Sequence, residues 1–142
     1  VASRNLVAHG LEGRVRVLES DLFDALDGES YDVIVSNPPY VSLSELESLP
    51  EEYRREPELG LAGGETGLEL ILRILRDAPR YLRDEGVLVV ELGSTAAELE
   101  RRFPDIPFLW LEFERGGEGV FLMNRQQLVE FQPLFEQAPE QT

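Results

Sequence analysis

Apolar residues recur at helical spacing between residues 68 and 82 of this chain. They stand three or four residues apart, at Leu68, Ile71, Leu72, Leu75, Ala78 and Leu82. This spacing places them on one face and predicts an amphipathic helix over 68–82. Shorter helices are predicted over 1–9, ended by Gly10, and over 96–103, closed by Pro104.

Strands are predicted where apolar residues form short runs or alternate with polar ones. Residues 33–35 and 87–93 are nearly continuous apolar runs, typical of buried parallel strands. Residues 14–18 alternate and predict another strand. Residues 108–113 and 120–123, joined by a glycine-rich turn, predict an antiparallel hairpin. Helices and strands therefore mix along the chain, as in an α/β fold.

A long polar connection, 41–67, separates the strand at 33–35 from the helix at 68–82. Connections beyond about 15 residues are usually functional or disordered. Its embedded apolar residues, among them Leu46, Tyr53 and Leu61, favour an ordered lid over a substrate. A solvated insertion is the alternative. Residues 132–142 are predicted to form a polar tail.

Composition narrows the possible class of protein. The chain has 142 residues, 42% of them apolar, which suffices for one globular domain. It has no cysteine and one histidine, His9, so neither a disulfide nor a metal site is predicted. No apolar run is long enough to cross a bilayer, so no membrane partner is expected. The lack of cysteine fits a reducing compartment, and we expect a cytoplasmic protein.

The net charge of −15 is large for this length. Such a chain is repelled by phosphates, and no direct nucleic-acid partner is expected. It would be attracted to a basic protein. Solubility alone is the other explanation of this charge. The sequence does not indicate an oligomeric state.

The strand at 33–35 ends in Asn37-Pro38-Pro39-Tyr40. Prolines donate no backbone N–H, and a residue before proline avoids the α region. The chain therefore leaves the sheet as a stiff, extended turn. Ligands of open α/β sheets bind outside the carboxyl ends of strands, so this turn is a candidate active site. A simple strand-ending turn is the alternative.

This turn resembles the Asn-Pro-Pro-Tyr motif of the amino-methyltransferases that use S-adenosylmethionine. The resemblance implies that the Asn37 side-chain oxygen and the Pro38 carbonyl accept the two hydrogens of a planar –NH2 group. The nitrogen would then be aimed at the methyl group of the cofactor. Asn37 would also contact the cofactor. Pro39 and Tyr40 would complete the substrate slot. Positioning is the help that a weakly nucleophilic amide needs most.

Three further segments narrow the resemblance. Residues 49–64 look like the loop that follows this motif in the protein glutamine methyltransferases. Residues 106–113 and 116–121 resemble the branch that acts on a large-subunit ribosomal protein. This implies a Rossmann-like class I methyltransferase that modifies a glutamine amide of a basic ribosomal protein. The alternatives are the release-factor branch, a nucleic-acid adenine amino-methyltransferase, and a non-catalytic half-domain kept for protein contact.

Asp21 and Leu22 follow the predicted strand at 14–18. Locally, Asp21 is equally suited to cap a helix and to accept a hydrogen bond from the exocyclic amine of adenine. The resemblance favours adenine, with Leu22 against the ring face. Both residues are therefore candidate contacts of S-adenosylmethionine.

The resemblance also implies parts that this sequence does not contain. In the family, a glycine-rich loop after the first strand and an acid after the second bind the cofactor, and neither segment precedes Val1. Residues 1–5 read as the middle of a helix, so we expect a truncated amino terminus. Residues 1–131 are then part of a catalytic domain, followed by the tail at 132–142. We expect these 142 residues alone to bind S-adenosylmethionine poorly.

Overall fold

A computed structural model describes residues 1–26, 28–38 and 68–137. The predictions for Pro39, Tyr40, the connection 41–67 and residues 138–142 lie outside these ranges. The described helices and strands are α1 (Ala2–Ala8), β1 (Tyr31–Ser36), α2 (Glu69–Tyr81), β2 (Leu82–Glu91), a 3-10 helix (Gly93–Thr95), α3 (Ala96–Arg102), β3 (Leu109–Leu111), β4 (Val120–Asn124), α4 (Arg125–Glu130) and α5 (Gln132–Gln137).

Helix α2 packs the apolar face that its periodicity predicts. Ile71, Leu72, Leu75 and Ala78 are buried on this face. Leu68 and Leu82, which flank the helix, are also buried. Burying a leucine or isoleucine side chain stabilises the fold by about 1.5–3 kcal/mol. The helix prediction for 68–82 is confirmed.

The four described strands form one mixed sheet in the order β1-β2-β4-β3. Strand β1 is parallel to β2, and the other two pairs are antiparallel. Leu88 and Val90 of β2 are fully buried, and they pair with Met123 and Phe121 of β4. Helices α2 and α4 both contact β2. The buried strand and the hairpin predicted from the sequence are both confirmed.

The register brings several strand ends to one edge of the sheet. Ser36, the last residue of β1, pairs with Val90 near the end of β2. Glu91, at the end of β2, pairs with Val120, and Val120 also pairs with Leu111. Strands β1, β2 and β3 therefore end at this edge and β4 begins there. We call it the carboxyl edge.

Strand β1 differs from its prediction in burial. It is parallel to β2, but it stands at the side of the described sheet, with a partner on one side only. Val33 and Val35 are 54% and 73% exposed. The prediction that this run is buried is wrong for the described structure, because no other described element covers this face.

Residues 14–18 do not form a strand, so that prediction is wrong. The backbone N–H groups of Arg14 and Val15 bond to the carbonyl of Leu11 in a turn. Val15, Val17 and Leu18 each remain more than 40% exposed. Alternation becomes a strand only when a neighbouring strand accepts and donates its backbone hydrogen bonds. None of the described strands pairs with this segment.

The prediction of a polar tail from residue 132 is wrong for residues 132–137, which form α5. Phe135 is fully buried, and its ring meets the edge of Phe103 at 5.5 Å between centroids. The Arg76 side chain donates to the Phe135 carbonyl at 2.9 Å, and Gln132 donates to the Arg76 carbonyl at 3.0 Å. A single aromatic residue in a polar segment shows no helical spacing, so the sequence does not predict this helix. Tertiary contacts stabilise it instead.

None of the helices in the described ranges is long and apolar enough to span a membrane.

Candidate active site

The turn at Asn37 and Pro38 leaves β1 at the carboxyl edge, as predicted. Asn37 is exposed immediately after the last paired residue of the strand, whereas Pro38 is buried. The Asn37 amide makes no hydrogen bond with any other residue that the structure describes. A buried proline fixes the chain, and an exposed amide beside it offers one acceptor and two donors to a ligand.

Asp21 and Leu22 lie in a turn rather than after a strand. The Asp21 carboxylate accepts a hydrogen bond from Arg73 of α2, at 3.1 Å between Nη2 and Oδ2. The side-chain oxygen that bonds a backbone N–H in this turn belongs to Ser20, which accepts from Ala25 at 2.9 Å. Asp21 therefore caps no helix among the described residues.

Leu22 has an unusual backbone conformation, with φ of +48°. A branched side chain in this left-handed region carries a cost of about 1–2 kcal/mol. Its side chain is half-buried against the core beside Phe23, whose ring stacks on Tyr81 at 4.8 Å between centroids. Strain of this kind is common at binding sites.

The two halves of the predicted site lie on different elements of the described structure. No hydrogen bond or ion pair connects Asp21 or Leu22 with Asn37 or Pro38 within the described ranges. Helix α2 holds Asp21 through Arg73, whereas Asn37 directly follows β1. Pro39 and Tyr40, the other predicted substrate contacts, lie outside the described residues.

A polar network holds the start of β1. Arg16 donates to one carboxylate oxygen of Glu29, and the Tyr31 hydroxyl donates to the other at 2.7 Å. Arg16, followed by Tyr31, lowers the pKa of the Glu29 carboxyl below its usual value, because both hydrogen bonds favour the charged form. The bond to Glu29 raises the pKa of Tyr31. This network lies at the opposite end of β1 from Asn37.

A concave surface lies at the carboxyl edge, beside the β3–β4 hairpin. This hairpin cleft has a volume of about 460 Å³. Its lining combines aromatic, acidic and glycine residues: Ala96, Glu100, Trp110, Leu111, Glu112, Phe113, Gly116, Gly117, Glu118 and Gly119. The sequence predicts the turn at these glycines but not the cleft. The signal was the clustering of acids and aromatic residues on both sides of that turn.

Within the described ranges, no group of three or more histidine, aspartate or glutamate side chains is arranged to hold a metal ion.

Known methyltransferases are similar to this chain in sequence. The family model described as "Methyltransferase small domain" matches residues 1–49, which include Asp21, Leu22 and the whole Asn-Pro-Pro-Tyr turn. A ribosomal protein uL3 glutamine methyltransferase of Francisella tularensis is 47% identical over 95% of this chain. The enzyme of the same name from Neisseria meningitidis is 48% identical over 91%.

This chain is homologous to ribosomal protein uL3 glutamine methyltransferases. Identity at this level over nearly the whole chain confirms the resemblance found in the sequence, and with it the α/β methyltransferase fold class. The chain spans 43% and 42% of the length of these two relatives.

Proposed function

We propose that this chain is part of the catalytic domain of an S-adenosylmethionine-dependent protein glutamine methyltransferase. In this proposal residues 1–131 belong to that domain, and the substrate is a glutamine side chain of ribosomal protein uL3. The homology to two uL3 glutamine methyltransferases, at 47% and 48% identity, carries the proposal. The exposed amide of Asn37, next to the buried Pro38 at the carboxyl edge, supports it.

Asn37 and Pro38 would bind the group that is methylated. A glutamine amide nitrogen carries two hydrogens, and its lone pair is delocalised into its own carbonyl. The Asn37 side-chain oxygen and the Pro38 carbonyl would accept these hydrogens and fix the direction of the nitrogen. Both acceptors would also stabilise the positive charge that develops on the N–H groups. Pro39 and Tyr40 would form the wall of the slot.

Asp21, Leu22 and Asn37 would contact the cofactor. Asp21 Oδ2 accepts from Arg73, whereas Oδ1 bonds to no other described residue, so an acceptor for an adenine amine is present. Leu22 is the next residue, and its half-buried apolar side chain suits an apolar ring face. Bound there, S-adenosylmethionine supplies an electrophilic methyl group. No metal is needed for this chemistry.

The charge of the chain suits a ribosomal protein as substrate. A net charge of −15 attracts basic proteins, and ribosomal proteins are basic because they bind RNA. The proposed place of action is the cytoplasm, where such proteins are made.

The test offers two protein substrates to the full-length enzyme from the complete reading frame. With methyl-labelled S-adenosylmethionine, uL3 and a peptide release factor are incubated separately, and the added methyl group is located by mass spectrometry. We expect label on one glutamine of uL3. Label on the release factor alone would overturn the assignment of uL3 as the substrate. Label on neither protein would overturn the proposed function.

A further inference from the structure

The hairpin cleft lies at the same edge of the sheet as Asn37. Strand β4 is two strands away from β1, and β3 is three strands away. Neighbouring strands are about 4.8 Å apart, which places the cleft roughly 10–15 Å from the Asn37 turn. Three to five residues of extended polypeptide cover this distance, at about 3.3 Å per residue. One peptide can therefore reach both places.

The walls of the cleft suit a cation on an apolar stem. The Phe113 ring is 53% exposed, and the Trp110 ring is half-buried, packed edge-on against Phe121 at 5.7 Å between centroids. Arginine and lysine bind to aromatic faces of this kind through their charge and their apolar stems. An aromatic wall therefore favours a basic side chain over a free metal ion.

Three carboxylates line the cleft beside these rings, and the described part of the chain pairs none of them with a cation. Glu100, Glu112 and Glu118 are exposed, and they form no ion pair with another residue that the structure describes. Nearby on α3, by contrast, Glu98 is paired with Arg101. Arginine favours such sites because its planar guanidinium stacks on rings and bonds carboxylates at the same time.

Two glycines hold the turn of the cleft close to its neighbours. Gly117 has φ of +78°, and a Cβ there would lie 2.8 Å from the Phe113 ring. Gly119 has φ of +71°, and its carbonyl accepts from the Leu92 N–H at 2.9 Å. Both positions require glycine, and both hold the turn close to its neighbours. A preformed cleft loses little conformational entropy on binding.

We propose that the hairpin cleft binds an arginine or lysine side chain of the protein substrate, a few residues from the modified glutamine. The proposal rests on the proposed function, since it names the part of the basic substrate that docks. The basic side chain stacks on Phe113 and Trp110, and Glu112 and Glu118 neutralise its charge. Docking there sets the register of the peptide, so that the glutamine reaches Asn37.

The test removes two charges from the cleft of the full-length enzyme and keeps the shapes of the side chains. The double variant Glu112→Gln, Glu118→Gln is assayed for methylation of uL3 over a range of salt concentrations. We expect KM for uL3 to rise about tenfold at low salt, with a weaker salt dependence, because the lost term is electrostatic. We expect kcat to stay within about twofold, because Asn37 and Pro38 are untouched.

A matched control removes the same number of charges at the opposite edge of the sheet. Glu85 and Asp105 are exposed there, and Glu85→Gln, Asp105→Asn should leave KM and its salt dependence as in the wild type. A second variant, Phe113→Ala, tests the ring and should raise KM about threefold. Thermal unfolding of each variant establishes that it folds.

Two results would overturn the proposal and are distinguishable. If wild-type enzyme methylates uL3 and the cleft variant shows the KM and salt dependence of the control, the cleft is not the docking site. If wild-type enzyme leaves uL3 unmodified, the proposed function fails, and this inference fails with it.

Discussion

The described residues before and after the long connection differ sharply in packing. Of the buried residues that form the core cluster, Phe23 alone comes from residues 1–38, and all others lie between Leu68 and Phe135. In the first region Val7, Val33 and Val35 are each more than half exposed. Apolar patterns therefore predict local conformation well in the second region. In the first region, the pattern at 14–18 forms no strand, and the apolar residues of β1 are largely exposed.

The largest expected effect comes from truncating a core side chain in the second region. Leu75 is fully buried in α2, so Leu75→Ala should lower the free energy of unfolding by about 3 kcal/mol. Leu18, which is 43% exposed, is the matched position in the first region. Leu18→Ala should cost about 0.5 kcal/mol or less. Urea denaturation followed by the fluorescence of Trp110 measures both, and equal losses would remove the contrast between the regions.

Two glycines with similar φ separate backbone strain from packing. Gly119 has φ of +71°, and a Cβ there would lie 2.6 Å from the Gly93 carbonyl oxygen. Gly10 has φ of +62° and nothing within 4 Å. Both alanine variants carry the cost of the left-handed conformation, about 1 kcal/mol, and Gly119→Ala adds a steric clash for a total of about 3 kcal/mol.

The same denaturation series compares the two glycine variants. A loss for Gly10→Ala as large as for Gly119→Ala would mean that the first region is as closely packed as the second.

The comparison also explains which parts of the fold the sequence predicts. Helix α2 and the β3–β4 hairpin follow from short-range patterns, and their partners are adjacent in the described structure. Whether Val35 is buried depends on what covers its face of the sheet. Whether residues 14–18 form a strand depends on a neighbouring strand with which they can pair. Helix α5 depends on the contacts of Phe135 with Arg76 and Phe103, which are far from it in sequence.

The candidate site also combines features that the sequence predicts with features that depend on distant residues. The place of Asn37 follows from a strand that ends in two prolines, and the structure puts it at the carboxyl edge. The surroundings of Asp21 could not be predicted, because Arg73 lies 52 residues away along the chain. The hairpin cleft was missed for a related reason, since it forms between α3 and the hairpin.

The smallest expected effect concerns the polar network of Arg16, Glu29 and Tyr31 at the start of β1. Arg16 and Tyr31 lower the pKa of Glu29, so the network stabilises the fold above the ordinary glutamate pKa. This contribution is lost as pH falls through the lowered pKa of the folded state. Tyr31→Phe removes one of the two donors and should raise the Glu29 pKa towards its ordinary value of 4.5.

An NMR titration of the Glu29 carboxyl carbon measures this shift. Tyr81→Phe is the matched control, because Tyr81 stacks on Phe23 and should not affect Glu29. An unchanged Glu29 pKa in Tyr31→Phe would show that the hydroxyl does not contribute to the network in solution.

The most direct test of the proposed chemistry is the turnover of Asn37→Ala in the full-length enzyme, with uL3 as substrate. Asn37 is exposed and bonds to no other described residue, so its loss should leave thermal stability unchanged. Glu85→Gln, at the opposite edge of the sheet, is the control and should keep full activity. We expect kcat to fall by at least about 100-fold in Asn37→Ala, because an acceptor aimed at the reacting amide is removed. Turnover within a few-fold of the wild type would contradict the role assigned to this side chain.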